Sequence, residues 1–269
     1  MASSLNEDKA RDMDILIPDW IDAPANVGAM STTRTGGFSR APYDDGAGGG
    51  GLNLGVHVGD DPDAVARNRA ILRTLLPSEP AWLMQVHGTT VLDAADVVDA
   101  SGADAPHADA SIATRPGVVC VVQTADCLSA LLCDINGRAV GAAHAGWRGL
   151  ASGVLEQTVF RMRDAGAGEI LAWLGPAIGP DSFEVGQDVF DAFADRDARM
   201  ASAFRPVAGE QKYLADIYGL ARAKLAGAGV TRVHGGGLCT VHDAGRFYSY
   251  RRDRITGRMA SLIWLKQPA

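Results

Sequence analysis

Three apolar runs at 118–124, 128–135 and 139–143 follow one another with only short polar steps between them. Runs of this length, rich in Val, Leu, Ala and Cys and bounded by turn signals, read as buried strands. The Asn136–Gly137 step predicts a hairpin between the second and third. A chain with several buried strands at its centre needs layers to cover them, and the flanking segments have the pattern to do so.

Asp60, Asp61 and Pro62 predict a helix start, with Val65, Ile71, Leu72, Leu75 and Leu76 on one face as far as about Leu76. A helix is expected over 147–165, others near 189–194 and 214–226, and strands at 29–38, 81–87, 90–98, 169–174, 230–234 and 259–265. There is no internal repeat and no regular βαβ rhythm. The expected fold class is therefore α+β: a single compact domain with mixed β-sheets covered by helices. Length agrees, since 269 residues fit one large domain. Residues 1–28 are expected to include a partly loose leader and 29–269 to form one catalytic domain. The DDGAGGGG segment at 44–51 is expected to be too flexible to pack, as a mobile loop or an insertion.

A formal charge of −7 argues against nucleic acid as a principal partner, because phosphate polymers attract a surplus of Lys and Arg. The apolar runs are far shorter than the roughly 20 residues of a membrane helix. The polar, mixed-charge start lacks the basic and apolar regions of a secretory signal, so the protein is expected to be cytoplasmic. Cys120, Cys127, Cys133 and Cys239 have no CxxC spacing and read as reduced thiols.

Of six histidines, His87 and His144 stand at the expected ends of apolar strands beside Gly88 and Gly146, and Cys127 lies at a turn between two such strands. If these ends share a pocket, two imidazoles and a thiolate would hold a zinc ion with one position open. Two other readings stand beside it: Cys127 as a nucleophile kept ionised by a histidine, and all three as ordinary buried or hydrogen-bonded side chains.

The blocks GLNLGVHVGDDP (51–62), QVHG (85–88), TADC (124–127), AAHAGWRG (142–149), WLGPAIGP (173–180), FEVG (183–186) and SYRRDRITGRMA (249–260) closely resemble the YfiH family. This is the laccase-domain group, described both as polyphenol oxidase and as zinc-containing purine nucleoside phosphorylase. The resemblance spans roughly 29–265. It implies a compact α+β fold, metal ligation by His87, Cys127 and His144, and phosphorolysis of adenosine, inosine and 5′-methylthioadenosine, with adenosine deamination as a companion activity. Purine nucleoside and phosphate are the implied partners. Zinc is the implied cofactor, with copper the alternative. Two features depart from the family pattern: the segment at 44–51, which bears on the pocket rim, and Arg254, where a small residue is expected and which leaves the metal triad undisturbed.

Phosphorolysis needs an oriented anion below the sugar and a proton donor near the base. Arg34 and Arg148 are the candidate phosphate forks, Asn53 and Gln85 the candidate amides for ribose or purine, and Asp126 a candidate proton shuttle beside Cys127. Three rival functions are a copper-dependent, laccase-like polyphenol oxidase, a cytoplasmic amidase editing peptidoglycan precursors, and a binding module built on the Arg-rich stretch Arg246–Arg258 with its aromatics.

Overall fold

The computed structural model describes residues 13–97 and 105–267. Strands β1 (Ile15–Leu16), β2 (Val27–Thr32) and β3 (Thr35–Ser39) precede helix α1 (Pro62–Arg73), followed by β4 (Pro80–Ala81), β5 (Val91–Asp93) and β6 (Ala110–Ala113). The central run is β7 (Val119–Thr124), β8 (Leu128–Asp134) and β9 (Val140–Ala145), leading to α2 (Trp147–Ser152) and α3 (Val154–Asp164). Then come β10 (Ile170–Leu174), β11 (Glu184–Gly186), α4 (Gln187–Ala194), β12 (Phe204–Pro206), β13 (Lys212–Ala215), α5 (Ile217–Gly227), β14 (Arg232–Gly235), α6 (Tyr250–Asp253) and β15 (Met259–Leu265).

The strands form a five-stranded sheet in the order β1-β2-β15-β7-β4, a six-stranded sheet in the order β14-β10-β8-β9-β6-β5, and a small sheet β11-β13-β12. Both large sheets mix parallel and antiparallel pairs. They pack face to face, because alternate residues such as Leu131, Cys133, Val140 and Ala142 meet Cys120, Val122, Ile263 and Leu265 in one cluster. The opposite set, including Leu128, Ala130, Leu132 and Ala143, lies under α2, α3 and α5. On the far side α1 covers Val119, Val121 and Leu262 with Ile71 and Leu72. The layers therefore run helix, sheet, sheet, helix, as an α+β domain with mixed sheets.

Asp61 caps α1, its carboxylate accepting from the Asp63 N–H. On the inner face of α1, Asn68 accepts from the Phe38 N–H and donates to Ser39, Gly51 and Asn53, tying two segments to the helix.

Several expectations need correction. Residues 1–12 of the expected leader lie outside the described residues, but 13–28 are part of the fold. Met13 is buried, and Ile15 and Leu16 pair with Thr32 and Ser31. The cause is local, since these apolar residues cover the edge of the sheet and Asp14 O accepts from Thr33. The Gly-rich segment also packs at its end. Gly51 bridges Thr35 and Ser39, and a Cβ there would lie 2.4 Å from the Tyr248 hydroxyl. The glycines serve close approach rather than mobility at Gly50 and Gly51.

The helix expected over 147–165 is two helices, because Gly153 takes φ +103° between them. The strands expected at 81–87 and 90–98 shrink to β4 and β5, and Val98 falls outside the described residues. The Arg-rich stretch is turned inward in part: Phe247 and Tyr248 are fully buried and Arg252 donates to Thr240 O and Phe247 O, while Tyr250 and Arg254 are exposed. Among the described residues no helix is long and apolar enough to cross a membrane.

Candidate metal centre

The β8–β9 hairpin builds half of the centre. Antiparallel pairing places Leu128 opposite Ala145 and Ser129 opposite His144, so Cys127, just before β8, stands beside the end of β9. His144 is 3% exposed and Cys127 half-buried.

His87 arrives from a different direction and by a different device. It does not end a strand. It sits in the connection between β4 and β5 with φ +59°, a left-handed conformation that a non-glycine residue adopts only when its surroundings impose it. The Asp109 carboxylate imposes it, accepting from the N–H groups of Val86, His87 and Gly88 at 3.2, 2.8 and 2.7 Å. The same carboxylate lies 2.8 Å from His144 Nδ1, and Asp109 O accepts from the His144 N–H at 2.7 Å. One buried residue therefore positions both imidazoles.

His87 Nε2 lies 3.6 Å from Cys127 Sγ, and the two rings meet edge to face with centroids 4.8 Å apart. Gly146 provides the room: a Cβ there would lie 2.6 Å from His87 Cδ2 and 3.0 Å from Cys127 Sγ. Burial alone would keep Cys127 protonated, but the adjacent His144 and His87 bring its pKa down to about 6. Burial likewise disfavours an imidazolium at His144, yet the Cys127 thiolate and Asp109 raise its pKa to about 9. Burial also opposes ionisation of Asp109, but its bonds from His144, Gly88 and Val86 prevail and lower its pKa.

One donor atom from each of His87, Cys127 and His144 falls within 4.8 Å of the others. A tetrahedral zinc with bonds of roughly 2.0 Å to nitrogen and 2.3 Å to sulfur spaces its donors by about 3.3–3.8 Å. The 3.6 Å separation of His87 and Cys127 lies in that range. With Nδ1 bound to Asp109, His144 turns Nε2 to the centre, the carboxylate–histidine–metal arrangement that orients a ligand. The residues fit a metal with three protein ligands and a fourth position open to the cleft. Among the described residues this is the one such cluster.

The trio opens into a cleft of about 400 Å³ whose walls include His57, Gln85, Gln123, Tyr250 and Arg258. Gln85 is in the cleft, but its amide is engaged: Nε2 donates to Gln123 O and Oε1 accepts from the Gln123 N–H. The other expected contacts lie elsewhere. Arg34 is 6% exposed and donates to the carbonyls of Asp44 and Ala244, lining a separate hollow. Arg148 is exposed and stacks over Trp147, outside the cleft wall. Asn53 is fully buried, accepting from the Gly55 and Arg258 N–H groups and donating to Asp60.

Asp126 has φ +86° and turns its carboxylate inward, accepting from Thr240 Oγ1 and the Arg251 N–H, each at 2.6 Å. It anchors the loop at Thr240 and the start of α6 rather than facing the metal ligands across the cleft. The sequence reading missed Asp109, His57, Tyr250 and Arg258. Three of these stand in or beside blocks already notable in the sequence, GVHV, SYRR and TGRM, but nothing in the local sequence singles out Asp109.

Comparison with known proteins adds a relationship to this geometry. Residues 28–266 match the family described as multi-copper polyphenol oxidoreductase laccase. The chain is 55% identical over 251 residues to a purine nucleoside phosphorylase of Pseudomonas aeruginosa, covering 93% of this chain and 98% of that protein. It is 51% identical over 253 residues to the purine nucleoside phosphorylase YfiH of Escherichia coli, again covering 93% and 98%. A Neisseria meningitidis crystal structure superposes with a TM-score of 0.85 at 50% identity, covering 94% of this chain and 99% of that one. The Bacillus licheniformis YfiH structure, at 32% identity and covering 89% and 93%, gives 0.80.

Proposed function

The chain belongs to the laccase-domain family that contains the YfiH proteins, and from that membership we propose that it is a zinc-dependent purine nucleoside phosphorylase. Adenosine, inosine and 5′-methylthioadenosine are its proposed substrates, with hydrolytic deamination of adenosine as a side activity, in the cytoplasm. The observation that carries this reading is a three-ligand centre on the wall of a cleft large enough for a small molecule, in a chain whose relatives of the same length are named for this activity.

In phosphorolysis the bond between ribose C1′ and the purine nitrogen breaks, its electron pair leaving with the base, while a phosphate oxygen bonds to C1′. The products are ribose 1-phosphate and a purine that gains a proton. A bound metal would supply a Lewis acid with one open position on the cleft side. The chain's own groups fix the stage. Asp109 holds the His144 ring in one tautomer, and Gly146 leaves room for the His87 ring beside Cys127. The reciprocal Gln85–Gln123 pair stiffens one wall, while the half-exposed Tyr250 ring offers a flat face to a purine.

The family description also names laccase chemistry, and two histidines with a cysteine resemble a mononuclear copper set. A multicopper centre needs more clustered imidazoles than the described residues of this cleft supply, since among them His57 is the one further histidine on its wall. Incubation of the zinc-loaded protein with adenosine, with and without phosphate, distinguishes the readings by product mass. Adenine and ribose 1-phosphate appearing only with phosphate is the expected result, and inosine marks deamination. Neither product from fully loaded protein overturns the proposal.

A further inference from the structure

Among the described residues Arg258 is the one arginine on the wall of the metal cleft, and no carboxylate of theirs shares that wall. Its position is built from the backbone outward. The Arg258 N–H donates to Asn53 Oδ1 at 2.8 Å, and its carbonyl accepts from the Leu54 N–H at 3.1 Å. Gly55 gives passage to the side chain, since a Cβ there would lie 2.8 Å from Arg258 Cγ. At the head, Nη1 donates to the carbonyls of Thr256 and Gly257, which fixes the plane of the guanidinium. Among the described residues neither Nε nor Nη2 has an acceptor, and no carboxylate forms an ion pair with the group. A half-buried guanidinium that is rigidly held yet keeps donors unspent is suited to a planar, two-point grip on a tetrahedral oxyanion. His57, on the same wall, adds a second nitrogen donor.

We propose that Arg258, held by Asn53 and Gly55 and assisted by His57, is the oxyanion subsite of this cleft and receives the phosphate that attacks ribose. The inference rests on the phosphorylase reading for the identity of the anion, but not for its binding. It gives Asn53 a positioning role through Arg258 in place of the substrate contact expected from sequence.

Orthophosphate and AMP are titrated calorimetrically into zinc-loaded wild type, Arg258→Lys, Arg258→Gln and Gly55→Ala, with metal content and melting checked for each. Loss of a hydrogen-bonded charge should weaken orthophosphate binding by about tenfold or more in Arg258→Gln, with a smaller loss in Arg258→Lys. The Michaelis constant for adenosine should change less than that for phosphate. Gly55→Ala displaces the same side chain without removing it and should weaken phosphate in the same direction, which serves if Arg258→Gln does not fold. If AMP but not orthophosphate binds in an Arg258-dependent way, the oxyanion subsite stands and belongs to a nucleotide substrate, and the phosphorylase reading falls. Unchanged affinity for both anions in folded Arg258 variants overturns the subsite, whatever the enzyme's activity.

Discussion

Asp109 lies behind the metal ligands and controls both rings, so its substitution separates holding a metal from supplying a donor. Asp109→Asn should lower zinc affinity by about 10- to 100-fold while leaving all three ligands in the chain, as competition with a chromophoric chelator would measure. Cys127 gives a pH-dependent readout in metal-stripped protein. Its pKa, lowered to about 6, and that of His144, raised to about 9, express one ion pair. That pair's contribution to stability is lost as pH falls through about 6, when the thiolate gains a proton, and as it rises through about 9, when the imidazolium loses one. Alkylation of Cys127 should therefore fall to half its plateau near pH 6, while Cys120 and Cys133, pushed up to about 12 by burial, remain unlabelled at neutral pH; peptide mass mapping reads both. His87, Cys127 and His144 could be picked out as candidate ligands from residue type, with Gly88 and Gly146 close to the two histidines. The partners of the arginines could not. A guanidinium on a long stem turns to whichever carbonyls the fold brings near, and Arg34 meets that of Asp44 10 positions away and that of Ala244 210 positions away.

The β8–β9 hairpin illustrates what an element can disclose in advance. Once Asn136–Gly137 is read as its turn, antiparallel pairing requires the residue before Leu128 to stand beside the residue after Ala145, so Cys127 near Gly146 follows from sequence. The place of His87 does not follow, because a left-handed residue in an irregular connection leaves no periodic trace and is fixed by Asp109 from another strand's approach. Gly146→Ala tests this junction. Its added carbon would press on His87 and Cys127, so zinc affinity should fall by about tenfold or more with far-ultraviolet circular dichroism unchanged. On helix α1, Asn68→Ala strips the bonds to Phe38, Ser39, Gly51 and Asn53. A loss of about 2–4 kcal/mol in urea unfolding is expected, because several buried groups lose their partners at once.

At the scale of the whole molecule the centre ties together three parts of the chain: the β4–β5 connection, the start of β8 and the end of β9. Chelation of the metal should therefore lower the melting temperature reversibly, with recovery that depends on zinc concentration by mass action; differential scanning calorimetry across a zinc series checks it. The α+β class was readable from apolar runs because each buried strand is short and bounded by turn residues. Strand order was not, since contacts between distant segments leave no local signature. The clearest instance is β15, which lies between β2 and β7 in the five-stranded sheet. Without residues 259–265 this sheet has two unsatisfied strand edges facing each other across a gap, so it can close only once a segment far along the chain from β2 and β7 is in place. Until β15 inserts, the backbone groups of β2 and β7 that it pairs with have no strand partner, so a partly folded molecule is most open to mispairing with another chain at this place.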